Sequence, residues 1–192
     1  MPVKNSERPD KSEALLSRLK DKLGSYITSS KVSLGDAEVS IKPESVPEFF
    51  RLLKLDSELA FNCFVSVTAV DWMDERDERF EVVYHLLSVP SLDRLRVKIP
   101  LPEADPKIAT VSDLWAGADY MEREVYDMYG ITFEGHPDLR RILMYDEFVG
   151  HPLRKDYPVQ AKQPRVQLLH PEVENTARQM KRGSLVQIGA RK

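Results

Sequence analysis

The sequence predicts an α+β fold: a largely antiparallel or mixed sheet with helices on one face, followed by a long extended C-terminal arm. Two amphipathic helical patterns precede three consecutive strand patterns, and one further helical pattern follows the strands. This grouping is typical of a sheet that is covered on one side. Apolar periodicity then fades towards the C-terminus. We therefore predict an α+β domain at residues 1–130 and an extended, partner-wrapping arm at residues 131–192.

The N-terminal part of the domain is predicted to contain a helix and a hairpin. The helix is expected to be capped by Asp10, with Glu13 three residues later, and to end at Gly24. Its apolar stripe consists of Leu15, Leu16, Leu19 and Leu23. The Gly-Asp pair at residues 35–36 predicts a tight turn between two short strands.

A second helix and three strands are predicted to complete the sheet. Ser45 and Glu48 form a capping-box pattern at the start of the helix. Strand patterns follow at residues 61–70, 80–89 and 95–101. The first is apolar on both faces, so we expect a central, doubly covered strand. The third alternates apolar with basic residues, so we expect a half-exposed edge strand.

The densest run of functional residue types is EREVYDMYGITFEGHPDLRRILMYDEFVGHPLRKDYP, at residues 122–158. It opens as a helix, for which Asp119 and Glu122 form a capping-box pattern and Gly130 predicts the end. Two Gly-His-Pro tripeptides follow, and each proline keeps the preceding histidine extended. The pattern predicts an ordered, extended segment rich in side-chain donors that need partners.

Two chemical roles can be considered for this run. His136 and His151 with Glu124 and Asp127 offer two imidazoles and two carboxylates for a metal ion, although their spacing fits no familiar ligand pattern. We favour the alternative, in which each imidazole bonds to backbone or carboxylate and pins the segment. The carboxylates, together with Glu122, could serve as acids or bases, but no nucleophile motif accompanies them, so pairing with arginines is the favoured interpretation.

Several functional classes are disfavoured by composition and motifs. The single cysteine, Cys63, excludes a disulfide within the chain and an iron–sulfur cluster held by this chain alone. No Gly-x-Gly-x-x-Gly or P-loop motif indicates a nucleotide site. No secretory signal and no run of ~20 apolar residues are present. Residues 136–192 hold eleven basic and six acidic side chains, although the whole chain has a net charge of −3. Nucleic-acid binding is disfavoured, because the aromatic residues of this basic part lie beside acidic ones.

The run resembles the signature of the 30 kDa subunit family of respiratory complex I, which in bacteria is the C subunit of NADH-quinone oxidoreductase. The resemblance rests on ERE at residues 122–124, on GITFEGHPDLRRIL at residues 130–143 and on GHPLRKDYP at residues 150–158. It implies a non-catalytic structural subunit in the hydrophilic arm of a proton-pumping enzyme, with no active site of its own. The implied docking residues are Glu122, Arg123, Glu124, Asp127, His136, Arg140, Arg141, His151, Arg154, Lys155 and Asp156.

The resemblance also implies the surroundings of the chain. The D subunit of the complex, which carries the quinone site with the B subunit, is the expected main partner, beside other peripheral-arm subunits. The complex would use FMN, iron–sulfur clusters, NADH and quinone, none of them bound by this chain. We expect a peripheral location on the cytoplasmic side of the cell membrane, with membrane contact only through the complex and no nucleic-acid partner. The alternatives are an equivalent subunit of a membrane-bound hydrogenase or other quinone-reducing complex, and an independent metal enzyme.

Overall fold

The computed structural model describes residues 8–160 and 162–163, which fall into two units. The first unit holds residues 8–146 and 150–160, and the second holds residues 147–149 with 162–163. Within the second unit, the Val149 backbone N–H donates to Gln163 Oε1, and Gln163 Nε2 donates to the Val149 carbonyl, each over 3.0 Å. The fold described below belongs to the first unit.

Three α-helices and seven strands make up the first unit. The helices are α1 (Arg8–Leu23), α2 (Val46–Leu55) and α3 (Ala118–Tyr129), and a 3-10 turn, Pro43–Ser45, leads into α2. The strands are β1 (Ile27–Ser33), β2 (Asp36–Ile41), β3 (Cys63–Asp71), β4 (Phe80–Ser88), β5 (Asp93–Leu101), β6 (Lys107–Ala109) and β7 (Thr132–Glu134).

The main sheet is mixed and has the strand order β1-β2-β5-β4-β3. Strands β2 and β5 are parallel, and the other three neighbouring pairs are antiparallel. Strands β6 and β7 form a separate parallel pair, in which Ile108 lies opposite Phe133. The predicted α+β class with a mixed sheet is therefore confirmed.

One face of the sheet supplies the core. Side chains alternate between the two faces of a strand, so every second residue of β2, β4 and β5 points towards the helices. Tyr84 in β4 is fully buried there and packs against Phe50 of α2, with ring centroids 4.8 Å apart. Burial of each such side chain contributes roughly 1.5–3 kcal/mol. The helical residues of this core include Leu15, Leu19, Leu23, Phe49, Phe50, Leu53 and Val125.

The opposite face of the sheet carries charged side chains that neutralise one another. Glu38 of β2 lies 3.2 Å from both Arg96 and Lys98 of β5. Lys98 also approaches Glu81 of β4 to 3.3 Å. The sequence suggested that the basic residues of β5 mark an edge strand, and this prediction is wrong. The pairing explains how a strand inside the sheet can carry these residues. β5 lies between β2 and β4, where carboxylates from both neighbours compensate its cations.

The prediction of a central, doubly covered strand at residues 61–70 is also wrong. β3 lies at the edge of the sheet, and β4 is buried on both faces instead. An irregularity in the β3–β4 pairing between Phe64 and Ser66 turns one apolar residue, Val65, outwards, where its surface is 48% exposed. The continuous apolar pattern of this strand therefore reflects a bulge, not double burial.

The three predicted helices are present, but the residues predicted to cap them do not act as N-caps. Asp10 and Asp119 lie inside the first turns of α1 and α3, and Gly117 precedes α3. Ser45 precedes α2 but makes no side-chain capping hydrogen bond, because the 3-10 turn already holds its backbone in a helical conformation. A proline in the first turn of α2 supplies the favourable start instead.

The hairpin turn lies one residue earlier than predicted. Leu34 and Gly35 have φ angles of 53° and 85°, and residues 33 and 36 already pair as strand residues. Two consecutive positive φ angles are typical of the two-residue turn that matches the twist of a hairpin. Glycine adopts such an angle without strain, so it fixed the position of the turn to within one residue.

The predicted domain boundary after residue 130 does not coincide with a division of the structure. Ile131 and Phe133 are almost completely buried in the core, and β7 pairs with β6. Residues 131–146 and 150–160 belong to the same compact unit as the sheet. The prediction that the arm wraps a partner remains a prediction, and residues 164–192 lie outside the described part of the chain.

Candidate functional site

Helix α3 carries two completely buried carboxylates, Glu122 and Asp127. Val125 and Met128 are buried on the same helix, and this apolar stripe seats α3 on the rest of the unit, chiefly against β3. Gly130 ends the helix in the left-handed conformation, with φ 74°, as predicted from the sequence. The two carboxylates accept hydrogen bonds from different parts of the chain.

Asp127 organises residues 140–145, here called the Asp127 loop. Its Oδ2 accepts the backbone N–H groups of Ile142, Leu143 and Met144 over 3.1, 2.8 and 2.8 Å. Its Oδ1 accepts Nη1 of Arg141 over 2.7 Å. Burial alone would raise the pKa of Asp127, but these donors lower it below its ordinary value. The carboxylate is therefore ionised at neutral pH and fixes three consecutive peptide groups.

Two arginines tie the Asp127 loop to its surroundings. Arg123 of α3 donates from Nε to the carbonyl of Arg140 over 3.2 Å and from Nη2 to the carbonyl of Arg141 over 3.3 Å. Arg141 donates from Nη2 to the carbonyl of Gly150 over 3.1 Å. The planar guanidinium is suited to bridging two acceptors in this way. The prediction that carboxylates of the run pair with its arginines thus holds for Asp127 and Arg141.

Residues 150–157, which begin with the second Gly-His-Pro tripeptide, pack against the C-terminal end of α3. The last carbonyls of a helix lack partners within the helix. Here the carbonyl of Asp127 accepts His151 Nδ1 over 2.9 Å, that of Met128 accepts the N–H of Leu153 over 3.1 Å, and that of Tyr129 accepts Nε of Arg154 over 2.5 Å. Burial, with nearby cations, lowers the pKa of His151, so its ring is neutral. The segment acts as a capping device built from a distant part of the sequence.

A buried ion pair fastens the same segment to the sheet. Arg79 donates from Nε and Nη2 to the two oxygens of Asp71, each over 2.9 Å. Its Nη2 also reaches Asp156 over 2.8 Å, and the backbone N–H of Lys155 donates to Asp71 over 2.8 Å. Burial raises the pKa of Asp71, but the Arg79 guanidinium and two backbone N–H groups outweigh burial and lower it to about 2.

Asp71 and Arg79 were not among the residues singled out from the sequence. Asp71 ends β3 and Arg79 immediately precedes β4, so the pairing of these strands brings the two side chains together. An acidic residue and an arginine at facing strand ends were the available signal. Their partner Asp156 lies far away in sequence, so periodicity gave no indication of the three-residue contact.

Glu122 has a different environment, because no arginine or lysine of the described residues pairs with it. Its Oε1 accepts the N–H of Val111 over 2.9 Å, and its Oε2 accepts the hydroxyl of Thr110 over 2.5 Å. Burial, together with the nearby charges of Asp113 and Asp119, outweighs these two bonds and raises the pKa of Glu122 to about 7. The predicted pairing with an arginine is wrong for Glu122.

The two histidines bond to backbone groups, which agrees with the favoured structural interpretation. His136 Nδ1 accepts the N–H of Asp138 over 3.1 Å, and Nε2 faces the carbonyl of Asp119 at 3.3 Å. The ring is completely buried, and its Nε2 lies 3.9 Å from Glu122. His151 is engaged at the end of α3, as described above. Among residues 8–160 and 162–163, no three or more His, Cys, Asp or Glu side chains are grouped so that they could hold a metal ion.

The remaining predicted docking residues are accessible to solvent. Glu124 and Arg140 are exposed, and the Arg140 side chain is paired only at Nε, with Asp138 at 2.9 Å, among the described residues. Lys155 is also exposed, and its ammonium group lies 2.8 Å from Glu75. Thus the structure brings most of the predicted residues together around the C-terminal half of α3, but many of them serve contacts within the chain.

The fold and this site define a class of protein: an α+β subunit in which signature residues fasten an extended segment to a helix end and a sheet. The chain belongs to the family described as the 30 kDa subunit of respiratory-chain NADH dehydrogenase, whose sequence pattern matches residues 39–163. The resemblance seen in the signature is thereby confirmed.

Relatives and solved structures agree with this membership. The chain is 50% identical over 143 residues to the C subunit of NADH-quinone oxidoreductase from Geobacter metallireducens, covering 74% of this chain and 87% of the relative. The corresponding protein of a Roseiflexus species is 43% identical over 149 residues, with coverages of 78% and 85%. A trypsin-resistant fragment of Nqo5 superposes with a TM-score of 0.57 at 38% identity, covering 66% of this chain and 98% of that one.

A second solved structure comes from another type of complex. It is the membrane-bound sulfane sulfur reductase, an archaeal respiratory membrane complex, which contains a chain similar to this one. The TM-score is 0.66 at 28% identity, and the match covers 78% of this chain and 87% of that one. The fold of this family therefore occurs in more than one kind of respiratory assembly.

Proposed function

We propose that this chain is a non-catalytic, peripheral subunit of a proton-pumping NADH:quinone oxidoreductase that docks on the D subunit, which carries the quinone site. In this role it supports electron transfer from NADH to quinone by holding its neighbours in position. The B subunit and further subunits of the peripheral arm are the other proposed partners. Family membership supports the assembly, and the bonding around α3 supports the positioning role.

The observation that carries the proposal is the use of the signature residues. Asp127, Arg141, His151 and Arg154 all bond within the chain, so they build a rigid surface instead of a reaction site. A pre-organised surface loses little conformational entropy on binding, which favours association. Arg140, Glu124 and Lys155 remain at that surface and can meet charged groups of a partner.

The proposal includes the cofactors and the location of the complex. FMN, iron–sulfur clusters, NADH and quinone would be held by other subunits, and this chain would hold none. In the described part of the chain, no helix is long and apolar enough to cross a membrane. Membership of this family of complex subunits supports the further proposal that other subunits provide the membrane attachment, with this chain on the cytoplasmic side.

Affinity purification from the native host tests this function. A tagged copy of the full chain should recover the quinone-site subunit, the cluster-bearing subunits and NADH-oxidising activity from gently solubilised membranes. An untagged strain, processed in parallel, is the control for non-specific recovery. Recovery of the chain alone as a monomer would overturn the proposal.

The similarity to the sulfane sulfur reductase chain favours one second candidate. In that case the protein would be the equivalent subunit of a related membrane-bound respiratory complex, such as a hydrogenase or another quinone-reducing enzyme. The same purification distinguishes the two, because the second candidate predicts a membrane assembly that lacks the NADH-oxidising module.

A further inference from the structure

We propose that the exposed apolar tip of the Asp127 loop, centred on Leu143, is the docking epitope through which this chain binds another protein subunit of its complex. The inference rests on the proposed function and deepens it. It moves the centre of the interface from the polar signature residues to apolar residues that lie between them.

Three neighbouring positions of the loop expose large apolar surfaces. Leu143 is 58% exposed, Tyr145 is 38% exposed and Ile142 is 36% exposed. Leu153, in the segment that closes α3, is 51% exposed. Single exposed apolar residues are ordinary, but a cluster on one ordered loop is typical of a protein interface.

The loop that bears these residues is held firmly. Asp127 binds the N–H groups of Ile142 and Leu143 directly, and the arginines at positions 123 and 141 fasten the preceding carbonyls and the carboxylate itself. Presenting leucine and isoleucine to water contributes nothing to the stability of the isolated chain. The buried carboxylate of Asp127 nevertheless holds the loop in the conformation that exposes these residues. We infer that this conformation serves binding of the apolar side chains to a partner.

The neighbouring arginine indicates the chemistry of the partner surface. The Arg140 side chain is 72% exposed, and among the described residues only its Nε is paired, with Asp138. Its two Nη groups can form a bidentate contact with a carboxylate. The partner surface that fits this epitope is an apolar recess for Leu143 with an Asp or Glu side chain at its rim, which matches the usual arrangement of an interface core and a polar edge.

Two other occupants are conceivable, and the experiment separates them from a partner subunit. One is the segment at residues 164–192 of the same chain, and the other is a second copy of the protein. The family consists of subunits of multi-chain respiratory enzymes, so we commit to a different subunit as the occupant.

Site-specific photo-crosslinking identifies the occupant. Full-length protein with Leu143→p-benzoylphenylalanine is expressed in the native host, irradiated in membranes and analysed by mass spectrometry. A control carries the same group at Leu55, which is 67% exposed at the end of α2. We expect position 143, and not position 55, to crosslink to another subunit. A crosslink to residues 164–192 or to a second copy would overturn the inference.

A pair of substitutions measures the contribution of the epitope. Leu143→Ser should lower recovery of the other subunits about tenfold or more, because loss of a central apolar contact removes a large share of binding energy. Leu55→Ser should leave recovery unchanged, and both variants should keep the thermal unfolding midpoint of the wild-type chain. Undiminished recovery with Leu143→Ser would refute the epitope while leaving the proposed function intact. Failure of the wild-type chain to recover any subunit would refute both.

Discussion

At the scale of single residues, the two buried carboxylates of α3 show how neighbours decide the state of the same functional group. Asp127 is surrounded by an arginine and three N–H donors, which lower its pKa despite burial. Glu122 accepts one hydroxyl and one N–H within the described part of the chain, and burial raises its pKa to about 7. The sequence shows both as acidic residues of one helix, five positions apart. The number and charge of the surrounding donors, which tertiary packing sets, make the difference.

Glu122→Gln should reduce the pH dependence of stability. The folded pKa of Glu122 is raised from 4.5 to about 7, so its contribution is complete below pH 4.5 and is lost as pH rises through 7. The loss amounts to roughly 3 kcal/mol. Glutamine carries no charge; its Oε1 can accept the Val111 N–H, and its Nε2 can donate to the Thr110 hydroxyl. The variant should therefore be more stable than the wild-type chain at pH 8.

Urea unfolding of the full chain at pH 5 and pH 8 tests this prediction. Glu124→Gln is the matched control, because Glu124 lies on the same helix and is exposed. The control should follow the wild-type curve at both pH values. If Glu122→Gln gains no stability over the wild-type chain at pH 8, the buried carboxylate is not under the electrostatic penalty inferred here.

Arg79→Ala should destabilise the chain strongly. It would leave Asp71 buried without its cation, a change that typically costs ~3–5 kcal/mol. The control is Arg51→Ala, because Arg51 pairs with Glu48 in an exposed contact at 3.4 Å and such pairs contribute less than ~1 kcal/mol. Urea unfolding at pH 7 measures both. Equal midpoints for the two variants would contradict the structural role of Arg79.

The Asp71 contact also predicts the direction of acid sensitivity. The folded pKa of Asp71 is lowered from 3.8 to about 2, so its stabilisation is present above pH 3.8 and is lost as pH falls through 2. Asp71→Asn should therefore be less stable than the wild-type chain at pH 6, and the difference should shrink on acidification towards pH 2. A difference that stays constant over this range would exclude the charge as its origin.

At the scale of elements, helix α3 depends on a segment more than twenty residues further along the chain. His151, Leu153 and Arg154 satisfy three of its final carbonyls, and Gly130 leaves the space that two of these side chains occupy. A Cβ at position 130 would lie 2.5 Å from the His151 ring and 2.7 Å from the Arg154 guanidinium. The end of α3 and this segment therefore stabilise each other, and a change in one should weaken the other.

Gly130→Ala should detach this segment from the helix end. Alanine meets both the strain of a positive φ angle and the contacts just described, so His151 and Arg154 would have to move. Hydrogen exchange should become faster at residues 151–157 than in the wild-type chain, and the unfolding midpoint should fall. Limited proteolysis should show earlier cleavage in the same region.

Gly135→Ala is the control for Gly130→Ala. It separates the effect of backbone strain from the displacement of the His151 and Arg154 side chains. Gly135 has a similar φ angle of 81°, but the one described side chain that a Cβ there would meet is Thr110, at an ordinary 3.5 Å. This control should lower stability without accelerating exchange at residues 151–157. If both variants behave alike, strain alone explains the effect and the packing role of Gly130 is wrong.

At the scale of the whole molecule, residues that hold the fold together lie close to residues for which we propose a role in assembly. Arg154 bonds to the end of α3, whereas Arg140 projects from the Asp127 loop with most of its side chain exposed. Both were predicted from the sequence as docking residues. The structure distinguishes the two: Arg154 donates to an acceptor within the chain, whereas Arg140 contacts Asp138 through Nε and leaves most of its side chain exposed.

Arg140→Ala and Arg154→Ala should therefore differ. Arg140→Ala should leave unfolding of the chain unchanged and weaken assembly by ~2–5 kcal/mol if the arginine meets a buried carboxylate of the partner. Arg154→Ala should lower stability by about 1 kcal/mol through loss of its hydrogen bond, and should weaken assembly as well. Unfolding curves and recovery of the complex from membranes measure the two effects. Unchanged recovery with Arg140→Ala would rule out a docking role for this residue.

By itself, the sequence determined the α+β class, the three helices, the strands of the main sheet, the end of α3 at Gly130 and the family. These features depend on local periodicity, on the conformational freedom of glycine and on a long uninterrupted signature. The order of the strands, the short β6–β7 pair and the burial of residues 131–133 required the tertiary structure. Those features depend on contacts between residues far apart in the chain, which no local pattern encodes.

The candidate site around α3 shows the same division between what the sequence predicted and what the tertiary structure decided. The sequence identified Asp127, Arg141, His151 and their neighbours as an unusual group, because their residue types are rare in an ordinary loop or core helix. Only the tertiary structure showed that Asp127 fixes a loop, that Glu122 is buried between a hydroxyl and an N–H donor, and that Asp71 with Arg79 holds the signature segment. Hydrogen bonds and burial are set by the geometry of the folded chain, and so they decide which polar residues stabilise the fold and which remain available to a partner.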